Sequence, residues 1–88
     1  MNAQDYRYIY HKVGDHGIVY EASDQDISGA TYQYFGFLSI DGSWIIQRFD
    51  LSTTNIILYR YSAGSSAYST AWTNRVDLTY DLYNEALT

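Results

Sequence analysis

The dipeptide Asp41-Gly42 constrains the fold more than any other feature of the sequence, because of what stands on either side of it. Residues 31–40 (TYQYFGFLSI) and 43–51 (SWIIQRFDL) are rich in aromatic and β-branched side chains, which favour strands. Asp-Gly between two such runs is typical of a β-hairpin turn, and glycine supplies the positive φ that the turn requires. The sequence therefore predicts an antiparallel pair of strands in the middle of the chain.

The register of this hairpin is left open by the sequence. A two-residue Asp-Gly loop would place Leu38 opposite Ile45. A three-residue loop with a glycine bulge would place Leu38 opposite Trp44. A slip of one residue moves every side chain of a strand to the other face of the sheet, so the two alternatives predict different cores.

Further strand patterns flank the hairpin. Residues 55–61 (NIILYRY) predict a strand that follows it and completes a meander. Residues 4–13 alternate, with tyrosines on one face, and residues 14–17 (GDHG) predict a turn. Residues 18–22 then predict a return strand, and the polar stretch 23–30 predicts a loop.

The C-terminal third of the chain carries two different periodicities. Residues 67–75 predict a short helix capped by Ser65 or Ser66. In residues 76–82, apolar and polar side chains alternate, which predicts a half-buried strand. The last residues, 84–88, are expected to be frayed.

Together these elements predict a mostly β fold: a small antiparallel β-sandwich or barrel-like meander with one short helix near residues 66–75. With 88 residues and no cysteine, residues 1–88 are expected to form a single domain with a thin core and no disulfide. The predicted strands are apolar on both faces, as in the consecutive residues Trp44, Ile45 and Ile46. Either the terminal segments or another subunit must cover the second face, so we expect a homo-oligomer.

Composition argues against several classes of partner. The net charge is −5 with five Lys and Arg, so we expect no binding to nucleic acid. No apolar run approaches the roughly 20 residues of a membrane span, and the N-terminal sequence lacks the apolar core of a signal peptide. Eleven tyrosines suit surfaces that are half apolar and half wet, which is typical of protein interfaces.

Two patterns resemble metal sites, and neither is complete. Residues 24–29 (DQDISG) start like a calcium loop, but the twelfth position, where an EF-hand has a glutamate, is Phe35. His11 and His16, with Asp15 between them, offer two metal ligands, but no third ligand has a suitable spacing. We therefore expect a solvated acidic loop, solvated histidines and no metal-binding residue.

Catalytic patterns are missing too. The serines have two histidines as possible bases, there is no G-x-S-x-G turn, and residues 63–67 lack the lysine of a phosphate loop. We expect no catalytic residue, no cofactor and no small-molecule ligand, so the chain is predicted not to be an enzyme. Trp44 and Trp72 have the rings that stack on sugars, but each lies in an apolar strand or helix pattern and is expected in the core.

A dispersed pattern in residues 32–83 resembles small virion structural proteins of tailed bacteriophages. That pattern is Tyr-x-Gly, Trp-x-Ile-x-Arg, Tyr-x-x-Gly, an aromatic, Trp-x-x-Arg and Leu-x-Tyr. The matching residues are Tyr34, Gly36, Trp44, Ile46, Arg48, Tyr61, Gly64, Tyr68, Trp72, Arg75, Leu78 and Tyr80.

The resemblance implies a non-enzymatic, assembling β domain located in the virion, after assembly in the host cytoplasm. It would be a tail, neck or capsid-decorating protein, with copies of itself and other virion structural proteins as partners, and the pattern contains no catalytic residue. The alternative from a different class is a carbohydrate- or host-surface-binding β module.

Trp72 and Arg75 suggest what the serine- and tyrosine-rich stretch 59–80 does. Residues three apart share one face of a helix. Trp72 would then close an open end of the sheet, and Arg75 would reach a carboxylate or unpaired strand carbonyls. The stretch is interpreted as a device that closes the fold rather than as a site.

Overall fold

A computed structural model describes residues 18–87, which form one antiparallel sheet and three short helical turns. The strands are β1 (Tyr20–Asp26), β2 (Tyr32–Ser39), β3 (Trp44–Thr53) and β4 (Ile56–Gly64), in the order β1-β2-β3-β4. Each strand pairs with its neighbour in sequence. The predicted mostly β meander is confirmed. Within these residues it is a single open sheet, and no second sheet packs against it to form a sandwich.

The hairpin between β2 and β3 has the longer of the two predicted loops. Leu38 pairs with Trp44, and the Ser39 N–H donates to the Ser43 carbonyl at 2.9 Å. Gly42 has a φ of +93°, as the bulge position of such a loop requires. The Asp41 carboxylate accepts hydrogen bonds from the Ser43 N–H at 2.9 Å and from the Ser39 hydroxyl. These bonds fix the register that the sequence left open.

β1 corrects the predicted loop at residues 23–30. The strand begins at Tyr20 and continues through polar residues to Asp26. Its register against β2 shifts between Ala22 and Asp24. β1 is at the edge of the four-stranded sheet, where polar side chains are tolerated because much of the strand is exposed. The composition that suggested a loop therefore belongs to an edge strand.

The predicted helix is present, although its cap is not the one expected. Helix α1 spans Tyr68–Thr73, and its N-cap is Ala67 in the left-handed region, with no side-chain cap from Ser65 or Ser66. A 3₁₀ turn follows at Arg75–Asp77, and a second helix that the sequence did not predict, α2, spans Tyr83–Ala86.

The predicted strand at residues 76–82 was wrong. After the 3₁₀ turn the chain is extended, but its one ladder contact is a bridge in which Asp81 and Tyr61 exchange two backbone hydrogen bonds of 2.8 Å. The alternation has another cause: the segment lies across a face of the sheet. Within the segment, Tyr80 is buried against that face and Thr79 is exposed, whereas Val76 and Leu82 at the ends are exposed as well.

Both faces of the sheet are apolar, as predicted. Successive residues of a strand point to opposite faces, so Ile46 lies on one face and Ile45 on the other. The first face carries a core cluster of Tyr34, Trp44, Ile46, Ala71 and Tyr80. The second face carries a cluster of Tyr20, Phe37 and Ile45, with Leu87 packed against it.

Residues 65–81, called the covering segment below, lie over the first face, which is called the covered face. They leave β4, reach β1 and return to the β4 edge at Asp81. The predicted strand 4–13, the predicted turn 14–17 and both histidines lie outside the described residues. No helix within residues 18–87 has the length and apolarity needed to cross a bilayer.

Candidate functional site

The residues of the dispersed pattern meet in one place. Strand pairing puts Tyr34, Gly36, Trp44, Ile46, Arg48 and Gly64 on the covered face. Tyr68, Trp72, Arg75, Leu78 and Tyr80 belong to the covering segment, and several of them pack against the cluster of that face. Tyr61 is the exception, because it is paired with Gln47 and packs against the cluster of the second face.

Two glycines of the pattern make room for aromatic rings. A Cβ on Gly64 would lie 2.5 Å from the Trp44 ring, and a Cβ on Gly36 would lie 2.0 Å from the Tyr68 hydroxyl oxygen. The Trp44 indole N–H donates to the Ser66 carbonyl at 2.7 Å, which holds the buried ring in place. Trp44 is thus a core residue, as the sequence predicted.

Arg75 ties the covering segment to β1. Its guanidinium donates to the Asp26 carboxylate at 2.9 and 3.2 Å and to the Trp72 carbonyl at 2.7 Å. Its charge also lies 4.6 Å from the centre of the Trp72 ring. The prediction that Arg75 reaches a carboxylate is confirmed. Trp72, however, packs on the covered face rather than closing an end of the sheet.

Asp26 is the other half of this contact. Hydrogen bonds from Ser28 and from Arg75 lower the pKa of the Asp26 carboxyl from its ordinary value to about 2. One carboxylate oxygen accepts from the Ser28 hydroxyl and N–H, and the other accepts from Arg75. The acidic residue that suggested a calcium loop is therefore held by a cation of the same chain.

Two tyrosine hydroxyls make further connections. Tyr68 donates to Asp24 at 2.8 Å, and Tyr80 donates to the Arg75 carbonyl at 2.8 Å. Burial raises the pKa of both hydroxyls above the ordinary value for tyrosine, and the hydrogen bond to Asp24 raises that of Tyr68 further. Both remain protonated donors at neutral pH. The polar groups of the stretch 59–80 thus serve to dock the covering segment.

Arg48 and Arg60 form a different arrangement, whose role sequence reasoning missed. They are directly opposite each other on β3 and β4. The Arg48 guanidinium carbon lies 4.7 Å from the centres of both the Tyr32 and the Tyr80 ring, and its Nε is buried without a hydrogen-bond partner. The place of Arg48 in the Trp-x-Ile-x-Arg pattern marked the residue, but only the strand register shows that Arg60 stands beside it.

The same half of the sheet ends in exposed apolar side chains. The β1–β2 and β3–β4 connections lie at one end, which we call the loop end. Ile27 (57%), Ile56 (51%), Ile57 (48%) and Tyr32 (39%) are exposed there. A shallow cleft of about 340 Å³ lies at the β3–β4 connection. Its lining residues are Leu51, Thr53, Thr54, Asn55, Ile56 and Ile57.

The second face carries a row of aromatic rings. Phe35, Phe49 and Tyr59 lie side by side on β2, β3 and β4, with 4.7 Å between the centres of neighbouring rings. Tyr59 is 45% exposed. Within residues 18–87, no three His, Cys, Asp or Glu side chains are grouped so that they could hold a metal ion. Comparison with protein-family models, curated proteins and solved structures found no match to this chain.

Proposed function

We propose that this chain is a non-enzymatic structural protein of a tailed-bacteriophage virion, in the tail, the neck or the capsid decoration. In this proposal it assembles with copies of itself and with other virion proteins. The observation that carries the assembly role is the exposed apolar surface at the loop end. Ile56 and Ile57 are each about half exposed on a domain with a small core. Burial of such side chains against a partner is the main favourable term in protein association.

The place of the pattern residues supports a structural role. A pattern shared by enzymes of one class marks reacting groups, whereas this one marks packing. Gly64 accommodates Trp44, and Arg75 joins the covering segment to β1 through Asp26. A pattern of this kind preserves a shape, which is what the subunits of an assembly must share.

Self-association is tested by sedimentation velocity over a range of protein concentrations. We expect the wild-type chain to form oligomers, and we expect Ile57→Thr to weaken them, because the substitution replaces apolar surface by a hydroxyl without changing the β-branched shape. Ile40→Thr is the matched control. Ile40 is exposed and lies in the β2–β3 turn, at the end of the sheet opposite the loop end. A wild-type chain that stays monomeric at high concentration would contradict self-association.

The virion location has its own experiment. An antibody raised against the purified chain is used to probe gradient-purified phage particles from the native source. We expect the chain to co-purify with the particles and to appear at a fixed copy number relative to other virion proteins. Detection only in the particle-free fraction would refute the location.

The carbohydrate-binding alternative has one observation in its favour, the exposed Tyr59 ring beside Phe49. Aromatic rings at a surface stack on sugars. Titratable binding to a glycan array that is lost in folded Tyr59→Ala protein would support that function in place of assembly. The absence of glycan binding, together with oligomer formation, would support the assembly role.

A further inference from the structure

Arg48 and Arg60 carry like charges in a place where no carboxylate within residues 18–87 forms an ion pair with either of them. The two residues are directly opposite on adjacent strands and share the covered face. Like charges in this position destabilise a sheet. Among residues 18–87, the one ion pair is Arg75 with Asp26, so neither Arg48 nor Arg60 has a carboxylate partner there.

Asp50 lies on the same face, two residues from Arg48 along β3. Its carboxylate accepts hydrogen bonds from the Ser52 N–H at 3.0 Å and hydroxyl at 2.6 Å. Hydrogen bonds from Ser52 and, to a smaller extent, the charges of Arg48 and Arg60 lower the pKa of the Asp50 carboxyl, so Asp50 offsets part of the repulsion without pairing with either arginine. A negative charge from outside the described domain would therefore relieve the rest of the repulsion.

Two aromatic rings restrain the Arg48 side chain in a single position. Its guanidinium lies between the Tyr32 and Tyr80 rings, 4.7 Å from each centre, so the plane of the group is restrained before any partner arrives. Restraint of this kind reduces the side-chain entropy that binding must remove. Arg60 has one Nη bonded to the Tyr59 carbonyl at 3.0 Å, which fixes it beside Arg48 and leaves its other donors free of the described hydrogen bonds.

We propose that Arg48 and Arg60 together bind a carboxylate side chain of a second copy of this chain. This inference rests on the proposed function and names the polar contact of the self-association surface. Planar guanidinium groups bind carboxylates through paired N–H···O bonds, which give both strength and a defined orientation. Arginine is enriched among the interface residues that dominate the free energy of association.

The abundance of carboxylates in the chain supports a second copy as the occupant. With ten Asp and Glu against five Lys and Arg, each copy carries excess carboxylates. Ile56 on β4 and Tyr32, whose ring contacts Arg48, are exposed at the loop end. The arginine pair thus lies beside apolar surface that a protein partner would bury, whereas a free small anion would leave that surface exposed.

The test compares the oligomer dissociation constants of wild type and Arg60→Gln by sedimentation equilibrium at low and high sodium chloride. We expect Arg60→Gln to raise the dissociation constant about tenfold or more at low salt and to reduce its salt dependence. Lys12→Gln is the control, because it changes the net charge equally at a position outside residues 18–87. Arg60→Lys keeps the charge but loses the paired donors, so we expect intermediate weakening.

The outcomes separate this inference from the proposed function. A wild-type oligomer whose dissociation constant is unchanged in folded Arg60→Gln protein, or changes no more than in Lys12→Gln, would overturn the arginine site and leave self-association standing. A monomeric wild-type chain would overturn both. Far-UV circular dichroism of each variant establishes that the sheet is intact before the comparison is made.

Discussion

Replacing Gly64 by alanine places a methyl group inside the space of the Trp44 ring. The added Cβ would lie 2.5, 2.6 and 2.8 Å from three atoms of the indole, all closer than van der Waals contact allows. These atoms belong to the body of a rigid ring, so a rotation about one terminal bond does not relieve the clash. The ring itself must move, and Trp44 is only 7% exposed and bonded to the Ser66 carbonyl.

The cost follows from two contributions. Overpacking of a core costs about 1–3 kcal/mol, and loss of the indole hydrogen bond costs about 0.5–1.5 kcal/mol. We therefore expect Gly64→Ala to lower the free energy of unfolding by about 2–4 kcal/mol. A domain of this size has a stability of about 4–13 kcal/mol, so the loss is a large fraction of the total.

Urea unfolding followed by far-UV circular dichroism measures the effect. With a slope of about 1 kcal/mol per molar urea, the midpoint should fall by about 2 M or more. The second arm is a double-mutant cycle with Trp44→Phe, because a smaller ring leaves room for the methyl group. We expect Gly64→Ala to cost less in the Trp44→Phe background. An equal cost in both backgrounds, or a cost under about 0.5 kcal/mol in the wild type, would refute the reasoning.

Three further substitutions test separate contacts. Hydrogen bonds lower the pKa of the Asp26 carboxyl from 3.8 to about 2, so the stabilisation from the ionised carboxylate is fully present above pH 3.8 and is lost as the pH falls towards 2. Asp26→Asn should therefore flatten this part of a plot of unfolding free energy against pH. An unchanged curve would contradict the contact with Arg75. Gly42→Ala puts a side chain at a φ of +93° and should lower the free energy of unfolding in urea by about 1 kcal/mol. The added Cβ would meet no close atom, so this cost comes from the backbone conformation alone. An unchanged free energy of unfolding would contradict the bulged turn. Tyr80→Phe should lower the free energy of unfolding by about 1 kcal/mol. Since burial raises the pKa of the Tyr80 hydroxyl, the variant should also lack one tyrosine that ionises at high pH in a spectrophotometric titration. If the high-pH transition keeps its full amplitude, the raised pKa does not belong to Tyr80.

The sequence predicted the centre of the sheet well because local chemistry decides it. Asp41-Gly42 indicates a turn because strand-forming runs stand on either side of it, and pairing of those runs buries their apolar side chains. Local chemistry does not determine whether the loop has two or three residues. The hydrogen bonds from Ser39 and Ser43 to the Asp41 side chain, together with the core positions of Trp44 and Ile46, select the bulged register.

The errors fell where tertiary contacts override local pattern. Residues 23–26 are polar, yet they form part of β1 because Asp24 and Asp26 bond to Tyr68 and Arg75 of the covering segment. Residues 76–82 alternate like a strand, yet they lie across the sheet. Period two shows that one side of an extended chain is buried, and it does not show whether the burying surface is a neighbouring strand or a sheet face.

The role of Arg48 was also beyond the sequence. Its pattern position identified it, but its environment depends on Tyr32, on Tyr80 and on the neighbouring strand that brings Arg60 opposite. Side chains from three segments, β2, β4 and the covering segment, surround Arg48. Their positions depend on the register of both hairpins and on the path of the covering segment, which the sequence pattern does not show.

The path of the covering segment has a consequence for the order of folding. The meander is built from neighbouring strands, so its contacts close short loops and form quickly. The bonds from Tyr68 to Asp24 and from Arg75 to Asp26 join residues 44 and 49 positions apart. They close large loops, whose entropy must be lost before any contact compensates for it. We therefore expect the sheet to form first and the covering segment to dock last. In native-state hydrogen exchange, the amides of this segment should open well before those of β2 and β3, with the buried rings of Tyr34 and Trp44 exposed each time it lifts.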